Sequence, residues 1–265
     1  MIKPSKYFAD NCTQKYQALG FVKCRSVFAR ISGDVIQTFY LKWSYISRAY
    51  SVEFRVSPLC MPQPFFLDAG SYELDEFIQH HVDRVDREGW TFDKDSDESV
   101  EHCIDSISNT MDLYLIPFFE ACTDCKSSLL ELLKLEELFD RNRRTMLHLK
   151  GMSDKAAPWQ ERSLFDYIKF YMALKSHNIS YAYLFLNHKV NYFTTNLKNL
   201  DDPNYPRQPD HVREGYMTKL ATCLEQLAWL DSGNFSNFEN MLNSNEKQMI
   251  EFLAEKHPKI LKTMR

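Results

Sequence analysis

Residues 50–57 alternate strictly between apolar and polar side chains. The even positions are apolar and the odd positions polar: Tyr50, Val52, Phe54 and Val56 against Ser51, Glu53, Arg55 and Ser57. Because successive side chains of a strand point to opposite faces of a sheet, this pattern predicts a β-strand with one buried and one solvated face. A half-buried strand needs neighbours, and this requirement constrains the fold more than any other feature.

Two segments that precede this strand supply the neighbours. Residues 21–31 are typical of one strand, Ser32-Gly33-Asp34 provides turn chemistry, and residues 35–43 alternate again. Pro58, Pro62 and Pro64 then interrupt the pattern, because proline has no N–H to donate to a sheet. We predict an antiparallel meander of three strands, or slightly more, with one buried face.

Helical spacing dominates the rest of the chain. An N-terminal helix carries Phe8, Cys12, Tyr16 and Leu19, and a second runs from Ser71 through a stripe at residues 74–85 to Gly89. A third carries Val100 to Leu115 and ends at Pro117. Later helices are predicted at residues 129–139, 164–172, 181–197 and 212–230 and around Phe238 and Ile250. The helix from Tyr181 is apolar on more than one side, which is typical of the central helix of a bundle.

This order of elements predicts an α+β fold, in which an N-terminal helix and an antiparallel meander packed by helices precede an all-α helical bundle. We place the α+β domain at residues 1–122 and the helical domain or extension at residues 123–265, packed against the first. No repeat of solenoid period is found. The segment Asp201–Asp210 contains three prolines and reads as a stiff connection between helices.

Composition narrows the functional classes. The seven cysteines are irregularly spaced and no secretory leader is recognisable, which favours a reducing, cytoplasmic setting. No apolar run approaches the roughly 18 residues of a membrane-spanning helix, so we expect no membrane protein. Seven glycines are few for phosphate-cradling loops, and we expect no cofactor.

Charge is segregated along the chain. Residues 1–72 hold 9 Lys and Arg against 4 Asp and Glu, a balance of +5, and residues 73–105 hold 3 against 12, a balance of -9. We expect the basic strands, with Lys23, Arg25, Arg48 and Arg55, to be neutralised internally by the acidic stretch. Together with a pI near 6.1, this makes nucleic acid an unlikely partner.

Several short segments carry a family resemblance. They are Ala18-Leu19-Gly20-Phe21, Val27-Phe28-Ala29-Arg30, Gly33-Asp34-Val35-Ile36-Gln37, residues 50–56 and Leu115-Ile116-Pro117-Phe118-Phe119-Glu120. Over roughly residues 10–135 the chain resembles the bacterial domain of unknown function family 4304. The resemblance implies a bacterial α+β domain without an assigned activity, and it implies that the later helices form an extension. It implies no catalytic residue.

One enzymatic alternative arises from the order helix, strand, strand, strand, helix, which restriction-endonuclease-like nucleases share. A Mg²⁺ ion would then be held, and its water oriented, by Asp34, Glu53 and Arg55. Arginine is a poor substitute for the lysine of such sites, because it does not readily release a proton. With residues 45–48 as the turn, Glu53 faces Tyr40 and Asp34 lies about 20 Å away. We therefore interpret Glu53 and Arg55 as a charged pair on a solvated face.

Other motifs have structural interpretations. The carboxylates from Asp93 to Asp97 lack the glycine and glutamate of a calcium loop, so we expect residues 95–98 to cap the next helix. The Cys122-Thr123-Asp124-Cys125 motif has no second pair and is expected to hold buried thiols. Arg141-Asn142-Arg143-Arg144 suits a helix C-terminus. His81 lies on an apolar stripe, beside a solvent-facing His80, and is expected in the core.

These observations predict a noncatalytic cytoplasmic protein whose helical half binds another protein. No catalytic, cofactor-binding or metal-binding residue is assigned under this interpretation. The nuclease with Asp34, Glu53 and Arg55 stays as the alternative.

Overall fold

A computed structural model of the chain describes residues 3–44, 49–62, 72–73, 90–93, 95–149, 163–204, 206 and 208–264. The strands are β1 (Val22–Cys24), β2 (Val27–Ser32), β3 (Val35–Ser44), β4 (Ala49–Pro58) and β5 (Tyr72–Glu73). The first helices are α1 (Pro4–Ala18), α2 (Asp97–Thr110), a π-helical turn (Met111–Leu115), α3 (Ile116–Ala121) and α4 (Cys125–Leu149). The later helices are α5 (Ser163–Lys175), α6 (Ile179–Asp201), α7 (Asp210–Asp231), α8 (Phe235–Lys256) and α9 (Pro258–Leu261).

The five strands form an antiparallel sheet in sequence order, so the predicted α+β fold with a helical C-terminal part is confirmed. The single strand predicted over residues 21–31 is wrong, because the chain turns at Arg25 with a positive φ of 58° and forms β1 and β2. β3 pairs with β4 along ten residues, with Tyr40 opposite Glu53 as the register argument predicts.

One face of the sheet, which we call the first face, carries an aromatic core. Phe28 and Phe39 stack with ring centroids 4.9 Å apart, and Tyr16 of α1 meets Phe39 edge-on at 5.0 Å. The predicted stripe of α1 is confirmed through its buried residues Phe8, Cys12 and Tyr16. Of the residues predicted to share this core, Phe39, Leu41, Val52, Phe54 and Val56 belong to it. Their predicted helical partners, Phe77, Ile78 and Val82, lie outside the described residues.

The helix predicted to end at Pro117 continues to Ala121. Proline cannot donate the usual backbone hydrogen bond, and its ring collides with the carbonyl one turn earlier. The π-helical turn Met111–Leu115 lies directly before it and places Pro117 in the first turn of α3, where no N–H is required. The chain therefore keeps a helical direction long enough to bury Phe118 and Phe119 against the sheet.

The opposite or second face of the sheet is also covered, which contradicts the expectation of a solvated face. Ala29, Ile31 and Ile36 pack against Leu253 of α8 and Ile260 of α9. Helix α5 also lies against β4. Every residue of β4 except Tyr50 is buried.

Both sides of residue 122 contribute to the same cores. Leu129 and Leu132 of α4 and Met172 of α5 join the first-face core. Near the C-terminus, Thr263 accepts a hydrogen bond of 2.8 Å from the backbone N–H of Ile31 in β2.

The bundle contains a repeated helix–turn–helix segment, which we call a helical corner. Its offset of 56 residues is longer than the usual solenoid periods. Six residues recur at this offset: Leu174, Ser176, Asn178, Ser180, Leu186 and Asn187 match Leu230, Ser232, Asn234, Ser236, Leu242 and Asn243. His177 and Gly233 occupy equivalent left-handed positions, with φ of 55° and 66°. The backbone hydrogen bonds also correspond, since Asn178 donates to Ala173 at 2.8 Å as Asn234 donates to Trp229 at 3.0 Å. The helical pairs α5–α6 and α7–α8 are two versions of one unit.

Helix α6 packs between α5 and α7, as expected of a bundle helix, but it is not enclosed on all sides. Its buried residues include Ala182, Phe185 and Leu186, whereas Leu184 is 67% exposed. Within the described part of the chain, no helix is both long and apolar enough to cross a membrane.

Candidate functional site

Asp34, the first residue of the nuclease alternative, caps a helix. It lies in the turn between β2 and β3, and its Oδ1 accepts a 2.7 Å hydrogen bond from the backbone N–H of Cys125. Gly33 beside it has a φ of +56°, and a Cβ there would collide with the carbonyl oxygen of Thr123. The turn is therefore shaped to receive the start of α4, where a carboxylate is favourable near exposed N–H groups.

Glu53 and Arg55 lie on the second face of the sheet and are buried, with 8% and 4% of their surfaces exposed. The interpretation of a solvated pair is wrong, because both side chains are buried. The Glu53 carboxylate accepts hydrogen bonds from the Tyr40 hydroxyl and the Lys42 ammonium. Burial lowers the pKa of Arg55 to about 10, and the guanidinium remains charged at neutral pH.

The three residues of the nuclease alternative do not converge. The β3–β4 register places Glu53 opposite Tyr40, six residues beyond Asp34, which corresponds to about 20 Å of strand. Asp34 is directed to α4, whereas the Glu53 carboxylate accepts from Tyr40 and Lys42 on the second face. Among the residues that the structure describes, no group of three His, Cys, Asp or Glu side chains is placed to hold a metal ion.

The thiols of the Cys122–Cys125 motif are buried, as predicted. Burial raises the pKa of Cys122 to about 12. The pKa of Cys125 is also raised. The main cause is a hydrogen bond with Cys60, and burial of the thiol adds to it. Both thiols therefore stay protonated at neutral pH and lack the thiolate that a redox or nucleophilic cysteine requires.

The acidic segment before α2 and the basic run of α4 lie at different places in their helices. Ser96 caps α2 by accepting from the N–H of Ser99 at 3.2 Å, and Asp97 and Glu98 occupy the first turn, so the predicted cap is confirmed. The basic run at residues 141–144 lies inside α4, which continues to Leu149, so its placement at a helix C-terminus is wrong. His80 and His81 lie outside the described residues.

Sequence reasoning missed an exposed apolar strip on the paired helices α6 and α7. On α7, Met217, Leu220, Leu224 and Leu227 follow one side of the helix, and Met217 and Leu224 are 56% and 49% exposed. On α6, Tyr183 and Val190 lie seven residues apart and therefore on one side of that helix. Tyr183 hydrogen-bonds Asp231, which continues the α7 series, and this bond raises the tyrosine pKa. We call these six apolar residues the α6–α7 strip.

The strip contains exposed residues, Met217 and Leu224, which we call its anchors, and partly buried residues, which we call its base. Val190, Leu220 and Leu227 are partly buried against the core of the bundle, so they hold the strip in a defined shape. The apolar residues on more than one side of α6 are a sequence signal for an exposed apolar surface. The same pattern is also typical of a central helix, so the sequence does not distinguish the two.

Comparisons with known proteins bear on the N-terminal part of the chain. No curated protein and no solved structure matches the sequence. Residues 13–121, from within α1 to the end of α3, match the model of a family described as a domain of unknown function, DUF4304. The chain therefore contains a DUF4304 segment, followed by a helical C-terminal extension.

Proposed function

We propose that this protein is a noncatalytic binding module that recruits another protein through the α6–α7 strip. The observation that carries the proposal is the exposure of Met217 and Leu224 above a fixed apolar base. Apolar side chains that are exposed in a row, rather than scattered, are typical of interaction surfaces.

The partner element that fits the strip is an amphipathic helix. The α7 residues of the strip are spaced three, four and three apart, and they span ten residues or about 15 Å of helix. A helix presents apolar side chains with the same periodicity and can pack them against the α6–α7 strip. The helices of this bundle already pair in this way, since α6 and α7 bury one side of each other.

The proposed setting is the bacterial cytoplasm. All seven cysteines are free, and Cys122 and Cys125 would persist as thiols in a reducing compartment. The resemblance of the N-terminal segment to DUF4304 supports the bacterial part of this proposal. We propose no membrane, nucleic-acid or cofactor partner.

The test compares two surface variants of the full chain. Met217→Gln combined with Leu224→Gln removes the exposed anchors, whereas Leu113→Gln changes a still more exposed leucine on the DUF4304 segment. Cross-linked partners from the native cytoplasm would be identified for each, and the partner lost only with the strip variant would be purified. Direct titration should then show at least about tenfold weaker binding for the strip variant and an unchanged affinity for Leu113→Gln.

Two results would contradict the proposal. One is a purified partner that binds the strip variant and the parent equally well. The other is a concentration-dependent dimer, detected by light scattering, that dissociates only in the strip variant, since the strip would then serve self-association.

A further inference from the structure

The two repeated corners enclose a cleft of about 250 Å³. The first corner contributes Leu174, Lys175, His177 and Ile179, and the second contributes Phe235, Phe238, Glu239, Leu242 and Asn243. Its floor is apolar, because Leu174, Phe238 and Leu242 are buried members of the bundle core. Polar side chains stand at the rim.

Most polar side chains at the rim are exposed and have no hydrogen-bonding or ionic partner within the described residues. Lys175 is already neutralised, since its Nζ lies 2.7 Å from Glu246 Oε2. His177, Glu239 and Asn243 make no side-chain hydrogen bond or ion pair within the described part of the chain. Glu239 is thus the one charge of the cleft that no described cation balances.

The first corner retains a side chain where the fold would accept glycine. His177 has a φ of 55°, a left-handed conformation that disfavours residues with a Cβ. The equivalent position of the second corner is Gly233, with the same hydrogen-bonding pattern. The difference places an imidazole beside the cleft at one corner and no side chain at the other.

We propose that this cleft binds a small alkylammonium ion, a function beyond the protein recruitment proposed above. Glu239 would receive the ammonium group, and the rings of Phe235 and Phe238, which line the cleft, would add cation–π attraction. The apolar floor would hold the alkyl stem. His177 and Asn243 would offer hydrogen-bonding groups at the mouth.

Three ligands with the same stem test the charge requirement: n-butylammonium, n-butanol and n-butyrate. Binding to the full chain would be followed by shifts of the backbone amide signals of Ile179, Phe235 and Glu239. We expect butylammonium to bind with a Kd of about 1 to 10 mM and at least about fivefold more tightly than butanol, with butyrate weakest.

Three variants test the residues. Glu239→Gln should weaken butylammonium binding by about fivefold, whereas Glu225→Gln, which removes an exposed carboxylate outside the cleft, should leave it unchanged. His177→Gly reproduces the second corner, so its melting temperature should be no lower than that of the parent, while binding weakens about twofold.

The proposal is overturned if butylammonium binds no more tightly than butanol. It is also overturned if Glu239→Gln or His177→Gly binds butylammonium with the parent's affinity. The strip variant Met217→Gln with Leu224→Gln should retain full butylammonium binding, so the two proposals can fail separately.

Discussion

The two faces of the sheet bury different kinds of side chain. The first face packs aromatic rings from α1, β2, β3, β4 and α3, including Tyr16, Phe39 and Phe119, and the thiol of Cys122 is held in the neutral form. The second face is apolar around Ile31 and Ile36 but carries charged side chains around Glu53. The comparison shows that alternation identifies which side chains share a face, whereas burial depends on what another part of the chain places over it.

The largest expected effect comes from uncovering the second face altogether. We propose that residues 1–122 and 123–265 fold as one unit, since α8 and α9 bury Ala29, Ile31 and Ile36. A chain ending at Cys122 should therefore lose its cooperative thermal transition, because these side chains and the charges beside them would face water. Calorimetry would measure this. A truncated chain that melts cooperatively at the temperature of the full chain would contradict the proposal.

Next in size is the loss of one aromatic side chain from the first face. Phe54 is fully buried and meets Phe118 and Phe119 edge-on. Phe54→Ala should lower the free energy of unfolding by about 3 to 5 kcal/mol, through lost burial and a cavity. Leu184→Ala, at an exposed position, should change it by less than about 0.5 kcal/mol. Denaturant unfolding of both variants checks the difference, and a loss below about 1 kcal/mol for Phe54→Ala would mean that the first face can rearrange.

On the second face, removing Glu53 should cost less than removing Phe54. Glu53→Ala removes the carboxylate that accepts from the Tyr40 hydroxyl at a partly buried site, and we expect a loss of about 1 to 3 kcal/mol. Glu53→Gln keeps an acceptor and should cost less. Lys42→Met should cost below about 1 kcal/mol, since the lysine is partly exposed. An effect of Lys42→Met equal to that of Glu53→Ala would show that the ion pair with Lys42, rather than the hydrogen bond with Tyr40, stabilises this face.

The smallest effect concerns pH and the neutral groups of the first face. The pKa of Cys122 is raised to about 12 in the folded chain, whereas the unfolded thiol ionises near 9. Its contribution is thus complete below pH 9 and is lost as pH rises from 9 towards 12, with about 1 kcal/mol gone by pH 10. Cys122→Ala should flatten the fall in stability between pH 8 and 10. Identical slopes for variant and parent would exclude this thiol as a source of the dependence.

Much of the fold followed from local patterns. The stripe of α1, the β3–β4 register and the cap at Ser96 depend on residues close in sequence, and the structure confirms all three. The turn at Arg25 was missed because the segment on both sides is apolar, and a non-glycine residue with positive φ gives no sequence signal. The candidate surfaces were missed for a different reason. Exposure of Met217, and the meeting of His177 with Glu239 at one cleft, depend on contacts between distant helices.

The sequence by itself determined the classes of element, their order, the pairing of the long strands and the set of side chains on each face. These properties depend on periodicity and turn chemistry, which act within a few residues. Only the tertiary structure decided that Glu53 and Arg55 are buried, that Asp34 caps α4 and that two helical corners form one cleft. The physical reason is that burial and electrostatic environment are set by whatever lies opposite a side chain. Here those neighbours lie as far away as Ile260, which packs against the same face as Ile31.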